Sequence, residues 1–257
     1  MLEGMKALFD LPEDTKNKYV SPKPYRSYSG KCSIVPLHES FGIDDPHCLD
    51  AAQAFTNLLW PQGNPGFCET LRAMSSKMIE LNFLLLKMIF ESFGMESHYN
   101  SQFEDSTSLL RIMKYKVPPG GSSSDSAIGL VAHTDKNALT ILCQNGVQGL
   151  EVQTKEGDWV QVVIPQDAFF VVVGDALKAW SNGRLHAARH RVMISGDKER
   201  YSCALFLIPK EGATIEVPDK LVDKEHPLLY RPFSFADYIS YFVSKLSHDA
   251  LETYAGI

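Results

Sequence analysis

No CxxC pair occurs in this sequence, and its five cysteines (Cys32, Cys48, Cys68, Cys143 and Cys203) are scattered and odd in number. Such spacing builds neither a disulfide-stapled scaffold nor a cysteine zinc site, so a reduced, cytoplasmic setting is the expectation. Basic charge is also short. Lys and Arg number 25 against 31 Asp and Glu, a formal charge of −6, with no basic stripe or tail. Nucleic acid and anionic membrane surfaces are therefore not expected as partners. No apolar run reaches membrane-spanning length, and the opening MLEGMKALFDLPEDTKNKY does not read as a signal peptide. HExxH is missing, which removes the usual zinc-hydrolase signature.

What remains is the composition of a globular protein, 44% hydrophobic and 22% charged over 257 residues, ample to bury a core without a metal or disulfide. Apolar positions Leu2, Met5, Leu8 and Phe9 predict an opening helix, and Ser21 to Ser33 is rich in Pro, Ser and Gly without a period. The clearest helix is expected over about 69–93, with Leu71, Met74, Met78, Leu81, Leu85 and Met88 as its core stripe. From Ser108 the period becomes strand-like: LLRIMKY, IGLVAHT, LTILCQ, LEVQT, WVQVVI, AFFVVV, HRVMIS and YSCALFLI follow one another. Pro118-Pro119-Gly120-Gly121, Asn145-Gly146, Glu156-Gly157-Asp158, Asn182-Gly183 and Ser195-Gly196-Asp197 punctuate them as turns. Eight short strands without helices between them predict an antiparallel sandwich or barrel. The layout is one domain over 1–257, with a mainly helical flank (1–105), a β-core (106–230) and a closing helix (231–257).

His133 and Asp135 lie two apart in a strand-like segment and so share a face. With eight histidines and 31 acidic residues, about one His-x-Asp/Glu is expected by chance, so this pair alone decides nothing. His190, in the strand-like Ala188-Arg189-His190-Arg191-Val192, completes two imidazoles and a carboxylate, the facial set of non-haem Fe(II) oxygenases. His186 is the rival third ligand, but Arg184-Leu185 before it read as loop. His38, His47, His98, His226 and His248 fall in helical or loop contexts. Arg200 and Ser202 share a face of the last apolar strand, where a guanidinium and a hydroxyl suit a dicarboxylate. That strand is expected to lie next to the one carrying His190.

The run HTD…NG…HRV…RYS resembles the plant 2-oxoglutarate/Fe(II)-dependent dioxygenases. Within them LFDLPEDTK, AHTDKNALTIL, GLEVQTKEGDWVQV, GDALKAWSNGRLHAARHRV and LVDKEHPLLYRPF are similar to the glucosinolate side-chain (alkenyl- and hydroxyalkyl-producing) branch. The resemblance implies a double-stranded β-helix, or jelly-roll, core with flanking helices. It also implies His133, Asp135 and His190 as Fe(II) ligands, and Arg200 and Ser202 on 2-oxoglutarate with Tyr115 nearby. Ascorbate as reductant, O₂ and a small-molecule substrate as partners, and a monomer complete the expectation. The expected reaction is oxidation, by default hydroxylation, of a specialised metabolite or hormone. Phe206, on the face of Arg200 and Ser202, is the candidate substrate contact, and Tyr28 a candidate for the pocket mouth. Two departures stand out: Lys114 stands where relatives carry Asn, and a first strand and helix are expected upstream of Met1. The alternatives are a catalytically weak isoform that binds metal and metabolite, or a jelly-roll binding module.

Overall fold

The structure, a computed structural model, describes residues 1–30, 32–96, 103, 106–119 and 126–257. The chain opens with helices α1 (Leu2–Phe9) and α2 (Glu13–Lys16), strand β1 (His38–Asp44), and helices α3 (Leu49–Leu59) and α4 (Pro65–Ser92). Eight strands follow: β2 (Thr107–Tyr115), β3 (Ala127–His133), β4 (Leu139–Gln144), β5 (Leu150–Gln153), β6 (Trp159–Gln161), β7 (Phe170–Val173), β8 (His190–Ile194) and β9 (Arg200–Ile208). They coincide with the eight apolar runs. Helix α5 (Asp175–Trp180) interrupts them between β7 and β8, against the expectation of no helix in the core. A short pair, β10 (Thr214–Ile215) and β11 (Phe233–Ser234), precedes helices α6 (Phe235–Lys245) and α7 (Ala250–Ala255). The closing segment is thus two helices, separated where Leu246 adopts a left-handed φ of 50°.

Two antiparallel sheets face each other, one ordered β1-β2-β9-β4-β7 and the other β3-β8-β5-β6. This is the expected jelly-roll arrangement. β1 corrects the reading of the first hundred residues as helix and loop. Its sequence HESFGID shows no apolar alternation, yet His38 through Ile43 are all buried, because β2 covers one edge and the helices one face. The Glu39 carboxylate finds partners instead of water: Lys16 donates to it at 2.8 Å and Lys116 lies 2.6 Å away, whereas His38 Nε2 has no hydrogen-bond partner among the described residues.

α4 is entered through Asn64, whose side chain accepts from Phe67 N at 3.1 Å, with Pro65 at its first position. Its buried residues are Phe67, Leu71, Ser75, Met78, Ile79, Asn82, Leu86 and Phe90, so the expected stripe is displaced. Leu71-Met78-Leu85 and Met74-Leu81-Met88 repeat every seven residues, and a straight helix drifts about 20° per heptad against that repeat. By Met88, 55% exposed, the stripe has turned into solvent.

The main hydrophobic core lies between the helices and the outer face of the five-stranded sheet, where Leu71, Met78 and Leu86 join Ile141, Cys203, Leu205 and Leu207. Between the two sheets the buried cluster is small: Met113, Tyr115, Val192, Ile194 and Ala204. The rest of the inter-sheet space is a cavity of about 1120 Å³.

Candidate active site

His133 closes β3 and His190 opens β8, and the two are direct partners in the antiparallel register. Their rings therefore project from one face, 4.4 Å apart between centroids. His133 Nδ1 lies 2.9 Å from Val131 O and His190 Nδ1 3.1 Å from Ala188 O. A carbonyl can only accept, so each Nδ1 carries a hydrogen, and in the neutral imidazole that leaves the Nε2 lone pair for a metal. Asp135 Oδ1 stands 3.6 Å from His133 Nε2 and 3.7 Å from His190 Nε2. The three ligand atoms all lie within 4.8 Å of one another, and no other group of three or more His, Cys, Asp or Glu among the described residues is so placed.

Asp135 is not on a strand: it lies beyond the end of β3. The shared strand face predicted from the i, i+2 spacing is therefore not what brings it to the histidines. Thr140 Oγ1, from β4, donates to Asp135 Oδ2 at 2.6 Å, and Asp175 N donates to Asp135 O at 2.7 Å. Asp175, at the first turn of α5, accepts from Lys136 Nζ at 2.7 Å, Tyr238 OH at 2.6 Å and Thr134 Oγ1 at 3.1 Å. Gly174 makes this docking feasible, since a Cβ there would sit 2.0 Å from Asn137 O. Burial opposes the charge on Asp135, but the two imidazoles and the Thr140 hydrogen bond outweigh it and hold the carboxyl well below its usual range. Burial, then the neighbouring His133, push the His190 imidazole down against the pull of Asp135. An ionised carboxylate and neutral imidazoles are the states that bind a metal.

Arg200 is fully buried and borders the same cavity. Its Nε and Nη2 donate to Gln144 Oε1 at 3.1 and 2.9 Å, Nη1 donates to Ser202 Oγ at 3.2 Å, and its guanidinium stacks 5.0 Å from the Tyr115 ring centre. No carboxylate pairs with it among the described residues. β9 is not the neighbour of β8, as expected from sequence, but belongs to the opposite sheet. The turn at Ser195-Gly196, with Gly196 at φ 83°, carries the chain across, so Arg200 faces the triad over the cavity. Lys114 points away from that cavity, paired with Glu199 at 3.0 Å. Met113 and Tyr115 are the inward positions, so no lysine occupies the place the sequence suggested.

Phe206 lines the cavity, as expected of a residue sharing the Arg200 face, whereas Ser202 is buried behind Arg200 and does not line it. Tyr28 is absent from the lining; its hydroxyl donates to Glu39 at 2.8 Å and its ring packs on Phe41. The mouth is instead bordered by Pro22 to Arg26, including Tyr25. His186 is exposed and outside the strand, apart from the three ligands. His38 proves to be a strand residue, and His98 lies outside the described residues. Sequence reasoning missed Thr140, Asp175 and Arg111. For Asp175 the adjacent glycine in GDALKAW was the available signal.

Residues 106–209 match the 2OG-Fe(II) oxygenase superfamily. The chain is 43% identical to the probable 2-oxoglutarate-dependent dioxygenase AOP1.2 of Arabidopsis thaliana, over 99% of its own length and 80% of that protein's. A crystal structure of a rice dioxygenase for auxin oxidation superposes with a TM-score of 0.85 at 32% identity, covering 99% of this chain and 84% of that one. The Arabidopsis thaliana dioxygenase for auxin oxidation 1, in a binary complex with 2-oxoglutarate, gives 0.80 at 28% identity, covering 88% of this chain and 83% of that one. Sheet architecture, paired histidines and relatives agree: the chain belongs to the Fe(II)- and 2-oxoglutarate-dependent dioxygenases.

Proposed function

We propose that the cavity between the sheets oxidises a small organic substrate, a plant hormone or specialised metabolite, with His133, Asp135 and His190 holding Fe(II). Arg200, with Ser202 and Tyr115 beside it, takes the far carboxylate of 2-oxoglutarate. The observation carrying this reading is the pairing across one cavity of three converging ligand atoms and a buried guanidinium that has no anion of its own. The donor set fits Fe(II), for two neutral imidazoles and one carboxylate leave coordination positions open. Iron with its co-substrate supplies the oxidation: O₂ is consumed, 2-oxoglutarate becomes succinate and CO₂, and one oxygen atom enters the substrate C–H bond.

The chain's own residues supply geometry and exclusion of water. The Nδ1–H bonds to Val131 and Ala188 fix both imidazole planes, and Thr140 fixes the Asp135 carboxylate. Gln144 holds the Arg200 fork through two of its five N–H groups and Ser202 takes a third, leaving donors for a carboxylate. Leu109, Leu130, Leu142, Val192 and Phe206 contribute apolar wall, and Phe206 is the proposed substrate contact. Ascorbate as reductant, a monomeric state, a cytoplasmic setting and the absence of nucleic-acid or membrane partners belong to this proposal. The free cysteines support the cytoplasmic setting, and the acidic balance supports the lack of nucleic-acid or membrane partners.

The test is succinate formation from 2-oxoglutarate with added Fe(II) and ascorbate, across a panel of plant hormones and specialised metabolites. Succinate must appear together with an oxidised product. Absence of 2-oxoglutarate consumption by the iron-loaded protein would refute the reading.

A further inference from the structure

Arg111 is a second guanidinium on the face of the sheet that carries Arg200, and nothing in the proposed chemistry uses it. In the β2–β9 register Tyr115 pairs with Arg200 and Arg111 with Ala204. Arg111 thus lies four residues along the strand from the co-substrate end, roughly 13 Å at the usual rise. It lines the cavity, yet among the described residues its one hydrogen-bond acceptor is a hydroxyl, Ser40 Oγ, 2.7 Å from Nη2. Its Nε is buried without any acceptor, and no carboxylate pairs with it among the described residues. The other arginine and lysine of the wall that sit nearest to acids are neutralised: Arg26 by Asp44 at 2.8 Å and Lys136 by Asp175 at 2.7 Å. Asp135 is the acid whose field reaches Arg111, and that charge is committed to the metal site.

The guanidinium is also held in place. The Tyr25 ring lies 5.8 Å from it, and this approach depends on Gly42, the β1 partner of Arg111. A Cβ at Gly42 would stand 1.9 Å from Tyr25 O and would drive the 22–26 segment off the strand. A partly buried, oriented guanidinium whose buried Nε is left without an anion is costly to maintain. The expense is explained if a ligand brings the anion.

Resting on the function proposed above, we propose that Arg111 is the anchor for a carboxylate of the organic substrate, which is accordingly a small organic acid. Its planar fork suits two parallel bonds to one carboxylate. The acid's apolar body then lies against Leu109 and Phe206, which pair with each other one step along the same two strands. Thr140, which holds Asp135, pairs with Phe206 from the other side. Arg111 therefore lies two inter-strand spacings across (about 10 Å) and two residues along (about 7 Å) from Thr140, roughly 12 Å in all. That separation favours a compact acid whose oxidised carbon is a few bonds from its carboxylate.

The test is anaerobic calorimetric titration of the Fe(II)- and 2-oxoglutarate-loaded enzyme with matched pairs: indole-3-acetate and indole-3-acetamide, phenylacetate and phenylacetamide, cinnamate and cinnamide. At least one acid should bind the wild type roughly 10- to 100-fold more tightly than its amide, the worth of a hydrogen-bonded charge. Arg111→Gln should abolish that ratio by weakening the acid alone, and Arg111→Lys should keep part of it. Melting curves verify that the variants are folded, and the wild-type ratio stands whether or not they are. No acid exceeding its amide, or a ratio that survives in folded Arg111→Gln, overturns the proposal. So does a ratio lost in Arg189→Gln instead, Arg189 being the other cavity arginine with a buried, unaccepted Nε. A parallel 2-oxoglutarate titration of the wild type separates the two readings. If 2-oxoglutarate binds but no acid preference exists, only the anchor fails; if 2-oxoglutarate does not bind, the dioxygenase reading fails first.

Discussion

Replacing Thr140 by valine removes one hydroxyl from beneath the metal site and leaves the side-chain shape nearly intact. That hydroxyl has a single hydrogen, and the 2.6 Å contact to Asp135 Oδ2 is the shortest it makes. Both residues are buried, at 2% and 5% exposure, so water does not substitute for the lost donor. Because Asp135 sits beyond β3 and not on it, the backbone does little to orient its carboxylate. A hydrogen bond to a charged group contributes about 1.5–3 kcal/mol, or roughly a 10- to 150-fold change in an equilibrium constant. The same range, about 10- to 100-fold in metal affinity, is typical for partners that orient a metal ligand. A bare carboxylate is also more basic, which would favour metal, but misorientation wins where the ligand hangs on a turn. The assay is anaerobic titration with Mn(II) as a spectroscopic stand-in, following the free-ion resonance. Thr140→Val should weaken binding by at least tenfold, and Thr140→Ser should restore most of it. A dissociation constant within about threefold of wild type in a folded Thr140→Val protein would refute the reasoning.

Further outcomes are expected. His190→Ala should abolish tight metal binding and 2-oxoglutarate turnover, while His186→Ala should retain both; the reverse result in metal analysis would misassign the third ligand. Arg200→Lys keeps the charge but loses the fork, and should weaken 2-oxoglutarate by about 1.5–3 kcal/mol with metal content unchanged. Titration of the co-substrate checks it, and an unaltered affinity would place the carboxylate elsewhere. Burial first, and Arg111 second, push the His38 imidazole down to about 3, against an ordinary value of 6.5. Between those values the unfolded chain takes a proton that the folded one refuses, so stability falls as pH drops below 6.5, by about 2 kcal/mol at pH 5. For the adjacent Glu39, burial raises the carboxyl but Lys116 and Lys16 outweigh it, to about 2; its contribution is intact above 4.5 and fades as pH falls toward 2. Melting curves of wild type and His38→Gln in the upper window should diverge in slope, and parallel curves would reject this account.

Much of the architecture was legible because the eight core runs are apolar and separated by residues that tolerate turns. Gly146, Gly157, Gly183 and Gly196 all adopt positive φ where those turns were expected. β1 was not legible, since its buried positions carry His, Glu and Ser, the last two satisfied by Lys16 and Arg111 from distant segments. Such long-range pairing leaves no local period. Which strands share a sheet was equally hidden: β8 and β9 are adjacent in sequence yet opposed in space. His133, Asp135 and His190 could be named because their residue types and spacing are restrictive. Thr140 could not, for a threonine in LTILCQ is ordinary until the loop folds against it, and Asp175 offered only its preceding glycine as a sign.

The half-filled space between the sheets has a consequence for how this protein can change. Most of its buried apolar side chains lie outside the sandwich, between helices and sheet, while the inner faces beyond the small Met113–Ala204 cluster line the cavity. Exchanging Leu109, Leu142 or Phe206 for another apolar residue therefore alters a wall that meets ligand, not a packed interior where each methylene is felt. Rigidity is vested in the layer that α4 covers and selectivity in the layer that the ligand touches. A single barrel of this kind can exchange one substrate for another through a few wall positions without renegotiating its fold, and saturation libraries at those three positions should yield mostly folded variants with diverging preferences.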